Sequence, residues 1–377
     1  MSSAPSAAQS AANAVNANLA ARQYALANFP RELLSIGTFG SFAPGANMRQ
    51  KLTNVGILRS ILLEVTVNYN VTTAATQSRL APYNLLSTVK VKDYQGTERI
   101  NASGDQIFNL QTVKYAKRPG CTNANAQAMP FTTPIYSFNG AMPTAVANNN
   151  SYTFFLRLPL AYHPEVDLRG SLLMQSITGE SFVEALFNGS FFGTNDDSVF
   201  SAGAGSVNSI NVQVYQDYLG IVMAPNGALP PLPQIDLGTV YELNGSMTTN
   251  SDLAVGQERL LNYVNYRSVL SAIVRYSSGG NQVAGNISQF RLVVNGNQYL
   301  QTWGERALVM ATREGVGVDL PPGCYYFSTR HKPIDTILYG NVQLGVTPNA
   351  VPANSLIAPL FESFYAVGSP LTGMSQA

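Results

Sequence analysis

The residues able to do chemistry are few, and they lie far apart. Two histidines, His163 and His331, fall one in each half of the 377-residue chain. Neither an H-E-x-x-H helix nor a multi-histidine metal cluster can be built from them, and both read as structural. Asp196-Asp197, after Asn195, could offer oxygen ligands to a cation, but an Asx-rich loop is the ordinary account of such a run. Glu165 and Asp167 could be imagined as an acid and base pair, yet they stand beside Pro164 in a turn-like stretch. There is no G-x-S-x-G elbow and no G-x-x-x-x-G-K-[ST] loop; Gly203-Ala204-Gly205 and Gly315-Val316-Gly317 read as turns. Cys121 and Cys324, again one per half, read as free and inert thiols, since two cysteines in a chain of this size make no disulfide scaffold. No catalytic, cofactor or metal site is expected, and the chain does not read as an enzyme.

Charge narrows the classes further. Lys and Arg number 22 and Asp and Glu 21, so the net charge of +1 leaves no general electrostatic footprint for nucleic acid. The clusters Lys114, Lys117, Arg118 and Lys90, Lys92 lack interleaved aromatics and read as solvated surface. Only 11% of residues are charged and 45% are hydrophobic. A soluble chain so short of charge is either secreted and loop-rich or hides much of its surface in permanent contacts with its own copies. The first option keeps a secreted carbohydrate-binding β-sandwich, with a groove lined by some of the 19 tyrosines, as the alternative function. The N-terminus has no basic flank and its apolar residues are broken by Gln9, Asn13, Asn16 and Asn18, which is unlike a signal peptide. No later apolar run is long enough for a membrane span, so folding in the cytosol is expected.

The elements that must carry these residues show a repeat. Leu58-Arg59-Ser60-Ile61-Leu62 opens one strand-forming run and Tyr266-Arg267-Ser268-Val269-Leu270 opens another. Each is followed by an alternating strand, a turn (Gln95-Gly96, Asn295-Gly296), a second strand and a helix-like stretch. Ile107, Leu110, Val113 and Ala116 place a helix over Asp105 to Lys117, and Leu300, Trp303, Ala307 and Met310 place one over Tyr299 to Glu314. An Ala-rich helix is expected over residues 5–28. Short strands divided by Gly, Asn and Pro argue for a sandwich or jelly roll, with long connections at Pro119 to Asn150 and Asn188 to Gly205. Pro225, Pro230, Pro231 and Pro233 make a stiff spacer between the copies. The division expected is residues 1–33 as helix and arm, 34–220 as the first domain, 221–234 as linker, and 235–377 as the second domain with its tail.

Phe154-Phe155-Leu156-Arg157-Leu158-Pro159-Leu160-Ala161-Tyr162, followed by Asp167-Leu168-Arg169-Gly170, resembles a stretch of the first jelly roll in tectivirus-type major capsid proteins. Gly323-Cys324-Tyr325-Tyr326, Lys332-Pro333-Ile334 and Tyr339-Gly340-Asn341-Val342 resemble the closing strands of that family's second jelly roll. The helix ending at Arg22-Gln23 and the stretch Pro231 to Leu243 resemble it too, while the two long loops do not align. The resemblance implies an all-β double jelly roll, two tandem eight-stranded domains with an N-terminal helix and a short helix in each. It implies homotrimers that act as pseudo-hexamers and tile an icosahedral capsid around an internal membrane, with other capsid, vertex and membrane proteins as partners. The N-terminal helix, through Val15, Leu19, Arg22, Tyr24 and Leu26, would then lie towards lipid. The product is a virion component assembled in the host cytoplasm.

Overall fold

A computed structural model of the chain describes residues 20, 22–115, 121–123, 142–175, 177–222, 239–245, 253–263, 267–296, 298–317, 319–329, 333–336 and 340–366. The proline spacer, His331, Lys117 and Arg118 lie outside these residues, as does most of Pro119 to Asn150. The chain opens with helix α1 (22–28). The strands that follow are β1 (Arg31–Phe42), β2 (Asn47–Lys51), β3 (Ile57–Gln77), β4 (Leu86–Lys92) and β5 (Glu98–Ala102), then helix α2 (Gly104–Tyr115), β6 (Cys121–Asn123), β7 (Ala147–Pro159), β8 (Leu172–Leu173), β9 (Phe182–Phe187) and β10 (Phe200–Leu219). The second set comprises β11 (Thr239–Gly245), β12 (Arg259–Asn262), β13 (Ser268–Ser278), β14 (Asn281–Gln282), β15 (Ile287–Val294) and β16 (Gln298–Trp303), then helix α3 (Glu305–Val316), β17 (Cys324–Ser328), β18 (Ile334–Asp335), β19 (Val342–Pro348) and β20 (Ser355–Ala366).

Both sets fold with one topology. The first pairs as β1-β10-β3-β7 against β2-β9-β4-β5, the second as β11-β20-β13-β17 against β12-β19-β15-β16. Counting these eight strands of each set in chain order, one sheet runs 1-8-3-6 and the other 2-7-4-5 in both, which is the jelly-roll order. The short strands are additions: β6 flanks β7, β8 pairs with β3, and β14 and β18 pair with β13. The repeated phrase opens the third strand of each set, the hairpin is strands four and five, and the helix follows. In β3 the period of two is plain: Ile61, Leu63, Val65, Val67 and Tyr69 are buried in the core while Leu62, Glu64, Thr66 and Asn68 between them are half-buried on the outer face. The hairpin turns follow local chemistry. Asp93 Oδ1 accepts from the Gln95 and Thr97 amides at 2.9 Å each. Asn295 and Gly296 both take positive φ (52° and 77°), as a two-residue turn matched to strand twist requires.

Four expectations about the elements need correcting. Gly315-Val316 is the end of α3 and not a turn, with Gly317 at a φ of 73° as its cap. The helix expected from Tyr299 begins at Glu305, and Tyr299 to Trp303 belong to β16, because Gly304 caps the helix in extended backbone and β16 completes the hairpin with β15. Gly203-Ala204-Gly205 is not a turn: it lies inside β10, where shifts in the ladder against β3 and a φ of 102° at Gly203 mark bulges, so the connection from Asn188 ends at Phe200. The buried face of α3 is Leu308 and Thr312, whereas Met310 of the expected apolar stripe is exposed.

Candidate assembly site at the seam between the two rolls

The fifth strand of the first roll does not end its sheet. β5 pairs in parallel with β11, Leu243 opposite Ile100 and Asn244 opposite Asn101, so β2-β9-β4-β5 runs on into β11-β20-β13 as one sheet. An edge that would otherwise leave unpaired amides is covered inside the chain. α2 lies across this joint. It starts from a capping arrangement in which Ser103 donates through its amide (3.3 Å) and hydroxyl (3.0 Å) to Gln106 Oε1. Its expected apolar residues Ile107, Leu110 and Val113 pack in the first roll's core. Yet every residue from Ala102 to Val113 is buried, because the opposite face rests on the second roll.

That second face is polar, and four of its groups reach across the seam. Asp105 pairs with Arg275 of β13 at 2.8 Å. Gln106 donates to the Ala358 carbonyl at 3.1 Å, and Asn109 Nδ2 lies 3.8 Å from Cys324 Sγ. Lys114 forms a 2.6 Å ion pair with Glu362 of β20, with side chains 3% and 0% exposed. Tyr241 accepts from Lys114 at 3.1 Å and donates to Glu362 at 2.8 Å, while the Ser271 hydroxyl donates to the other carboxylate oxygen. The ammonium also sits 4.0 Å from the Tyr162 ring centroid. Lys114 is therefore not the solvated surface charge that its sequence neighbourhood suggested; it is a buried cation of the seam, as Arg275 is. Lys90 and Lys92 do remain half-exposed, beside Glu98.

The residues weighed for chemistry find structural roles. Asp196 accepts from the Arg79 amide (3.1 Å) and the Gln282 amide (3.0 Å), and Asn195 donates to the Gly279 carbonyl (3.2 Å), so this loop latches onto the β13–β14 hairpin of the second roll. Burial raises the Asp197 carboxyl, against the pull of Arg275. Glu165 pairs with Arg31 (2.9 Å) and Arg157 (3.4 Å), and Asp167 with Arg169 (2.7 Å), so the two acids face different cations. Burial and then the Lys114 charge lower the His163 imidazole. Cys324 is a free, buried thiol pushed up to about 12 by desolvation. The repeated arginines each meet an acid, Arg59 with Asp217 at 2.6 Å and Arg267 with Glu242 at 2.7 Å.

At the N-terminal end, Val15 and Leu19 lie outside the described residues. Arg22 is half-buried, Tyr24 is 52% exposed, and Leu26 packs on the cluster of Ala25, Phe29, Ile57, Leu168 and Leu219.

Tyr162, Arg169, Gly170 and Cys324, from two of the phrases that carried the capsid resemblance, lie at the seam. Arg169 stacks on Tyr162 and Phe364 (5.2 and 4.9 Å to the ring centroids), and Cys324 is the thiol beside Asn109. Gly170 has φ +86°, and a Cβ there would stand 2.3 Å from Tyr241 Cβ. No local pattern announced the seam. The one available signal is β13, where Val269, Leu270, Ala272, Ile273 and Val274 form an apolar run broken only by Ser271 and Ser268 to Ser277 are all buried, the mark of a strand covered on both faces.

Comparison with known proteins agrees with this architecture. Family models described as P3 major capsid protein N-terminal and C-terminal match residues 1–222 and 238–372. Major capsid protein P3 of Enterobacteria phage PRD1 is 28% identical over 376 residues, covering 93% of this chain and 91% of that one. A chain from the atomic structure of Sulfolobus Turreted Icosahedral Virus superposes with TM-score 0.63 at 12% identity (89% of this chain, 91% of that one). The major capsid protein P2 from Bacteriophage PM2 superposes with TM-score 0.52 at 9% identity (89% and 98%). These matches favour a capsid role over the sugar-binding alternative. The chain belongs to the P3 major capsid protein family, a family of structural virion proteins and not of enzymes.

Proposed function

We propose that three copies of this major capsid protein associate into a pseudo-hexameric tile of an icosahedral shell. The observation that supports this reading is the matched topology of the two rolls: two equivalent rolls per chain and three chains per ring give six similar edges, which pack a flat shell face. The working division is an arm to residue 33, rolls over 34–220 and 235–377, and a linker over 221–234 between them. The N-terminal segment with Val15, Leu19, Arg22, Tyr24 and Leu26 lies on the base of the tile, towards an internal membrane, and exposed Tyr24 is its interfacial aromatic. No described helix is long and apolar enough to cross a bilayer. Vertex and membrane proteins of the virion adjoin the tile, which assembles in the host cytoplasm. Light scattering on the purified chain tests the reading: a species of three times the chain mass is expected, and a persistent monomer at micromolar concentration overturns it.

A further inference from the structure

The first-roll loop that holds Asn195, Asp196 and Asp197 clasps the β13–β14 hairpin of the second roll, and it carries one charge too many. Asp196 accepts from the amides of Arg79 (3.1 Å) and Gln282 (3.0 Å), Asn195 donates to the Gly279 carbonyl (3.2 Å), and Arg79 Nη1 donates to the Gln282 carbonyl (2.8 Å). The hairpin tip is shaped for close approach. Gly279 and Gly280 take positive φ (57° and 78°), and a Cβ on Gly280 would stand 2.3 Å from Asn195 Nδ2 and 2.7 Å from Asp197 Oδ2.

Charged groups converge on this end of the seam from each element packed there. Asp105, in the first turn of α2, pairs with Arg275 of β13 at 2.8 Å, with side chains 3% and 8% exposed. Asp196 is buried, and the Arg79 guanidinium stands 4.0 Å from its carboxylate. Cys324 of β17 stays neutral beside them, since its thiol ionises only near 12. Asp197 adds a third carboxylate to these two guanidiniums. Its residue is exposed, so water and protons reach it, while Oδ2 faces the glycine tip. Desolvation there raises its carboxyl against the pull of Arg275, and Asp105 and Asp196 raise it further.

We propose that this clasp between the rolls is proton-controlled: with Asp197 ionised the cluster holds one negative charge in excess and the clasp is loose, and with Asp197 protonated the charges balance and the hairpin is held tight. The clasped form then binds a proton at Asp197 more readily than the open form, and protonation favours clasping by the same factor. The contribution is full below the ordinary aspartate value of 3.8 and is lost as pH rises through the raised one. Lys114 and Glu362, in the last turn of α2 and on β20, are 3% and 0% exposed and lack this route to solvent. The seam has one fixed fastening and one that titrates.

Hydrogen exchange of the whole chain, read by mass spectrometry, tests this at the Arg79 and Gln282 amides, the two that Asp196 accepts from, with intrinsic rates corrected at each pH. From pH 7 to pH 4.5 the wild type is expected to gain about fivefold in protection at both, the lower end of coupling between sites. Asp197→Asn, neutral at every pH, is expected to show the acid value throughout; Asp197→Ser replaces it should that variant fail to fold. Gly280→Ala drives a Cβ into the clasp and is expected to lose protection at both pH values. Wild-type protection that stays flat over this range overturns the proposal, as does an Asp197→Asn chain that keeps the wild-type slope. A Gly280→Ala chain as protected as wild type overturns it too, because the clasp is then not what shields these amides.

Discussion

Replacing Lys114 with Met is the sharpest test of the seam. Met keeps most of the stem's packing and deletes only the cation, leaving Glu362 at 0% exposure and still accepting from the Tyr241 and Ser271 hydroxyls. Breaking one side of a buried ion pair costs about 3–5 kcal/mol, because the other charge stays desolvated. The loss falls on contacts between the rolls and not on either core, so it also loosens their coupling. Trp303 is the chain's single tryptophan and lies in the second roll, so its fluorescence follows that roll alone while far-ultraviolet circular dichroism follows both. In denaturant titrations at one protein concentration, K114M is expected to lose stability by that amount and to show two non-coincident transitions where the wild type shows one. K114M/E362Q, which neutralises the pair and leaves an amide oxygen to accept from one hydroxyl and an NH2 to donate to the other, is expected to cost about 2 kcal/mol less than the two single changes summed. A K114M loss below about 1 kcal/mol, with coincident transitions, would refute the claim that this pair fastens the rolls.

Gly170→Ala forces a Cβ towards Tyr241 at a φ of +86° and is expected to lower stability by about 2 kcal/mol or more, read as a shift in denaturation midpoint; an unchanged midpoint would show that the backbone there relaxes freely. With Cys121 replaced by Ser, Cys324 is expected not to react with a thiol-specific chromogenic reagent at pH 8 until the protein is denatured, since its thiol ionises only near 12. His163 is lowered from 6.5 in the folded chain, so the unfolded chain binds more protons between the two values. Stability is therefore full above pH 6.5 and falls as pH drops through the window below it, and His163→Asn is expected to flatten that slope in melts between pH 5 and 7.

What the sequence made legible was local. Arg59-Ser60 and Arg267-Ser268 recur because each opens the third strand of a roll, and each arginine meets an acid of its own sheet, Arg59 one strand away on β10 and Arg267 two strands away on β11. α2 was readable from Ile107, Leu110 and Val113, since a period of three to four over a dozen residues has one common solution. The start of α3 was misplaced because Leu300 and Trp303 keep helical spacing with Ala307 and Met310 across Gly304, while strand pairing with β15 decides residues 298–303. The seam was illegible for a different reason. Lys114 and Glu362 are 248 residues apart, and a lysine followed by Lys117 and Arg118 looks like any solvated cluster until the second roll is laid over it.

The two joints of the proposed ring differ in a way that follows from how each must form. Inside the chain, α2 meets the second roll with Asp105, Gln106, Asn109 and Lys114, groups whose desolvation is tolerable only when every partner arrives. Tethering guarantees that arrival, because the partner roll is held at high effective concentration by the same backbone. Between chains there is no such guarantee: a capsid subunit has to stay soluble before assembly and then give up water from its faces on encounter. Counted from Gly304 as Asn109 is from Gly104, Val309 of α3 stands where α2 has Asn109, and it is an exposed apolar side chain that needs no specific partner in water and gains from burial when one appears. Buried ions fasten the joint made once per chain, and a small apolar helix face suits the joint made once per encounter.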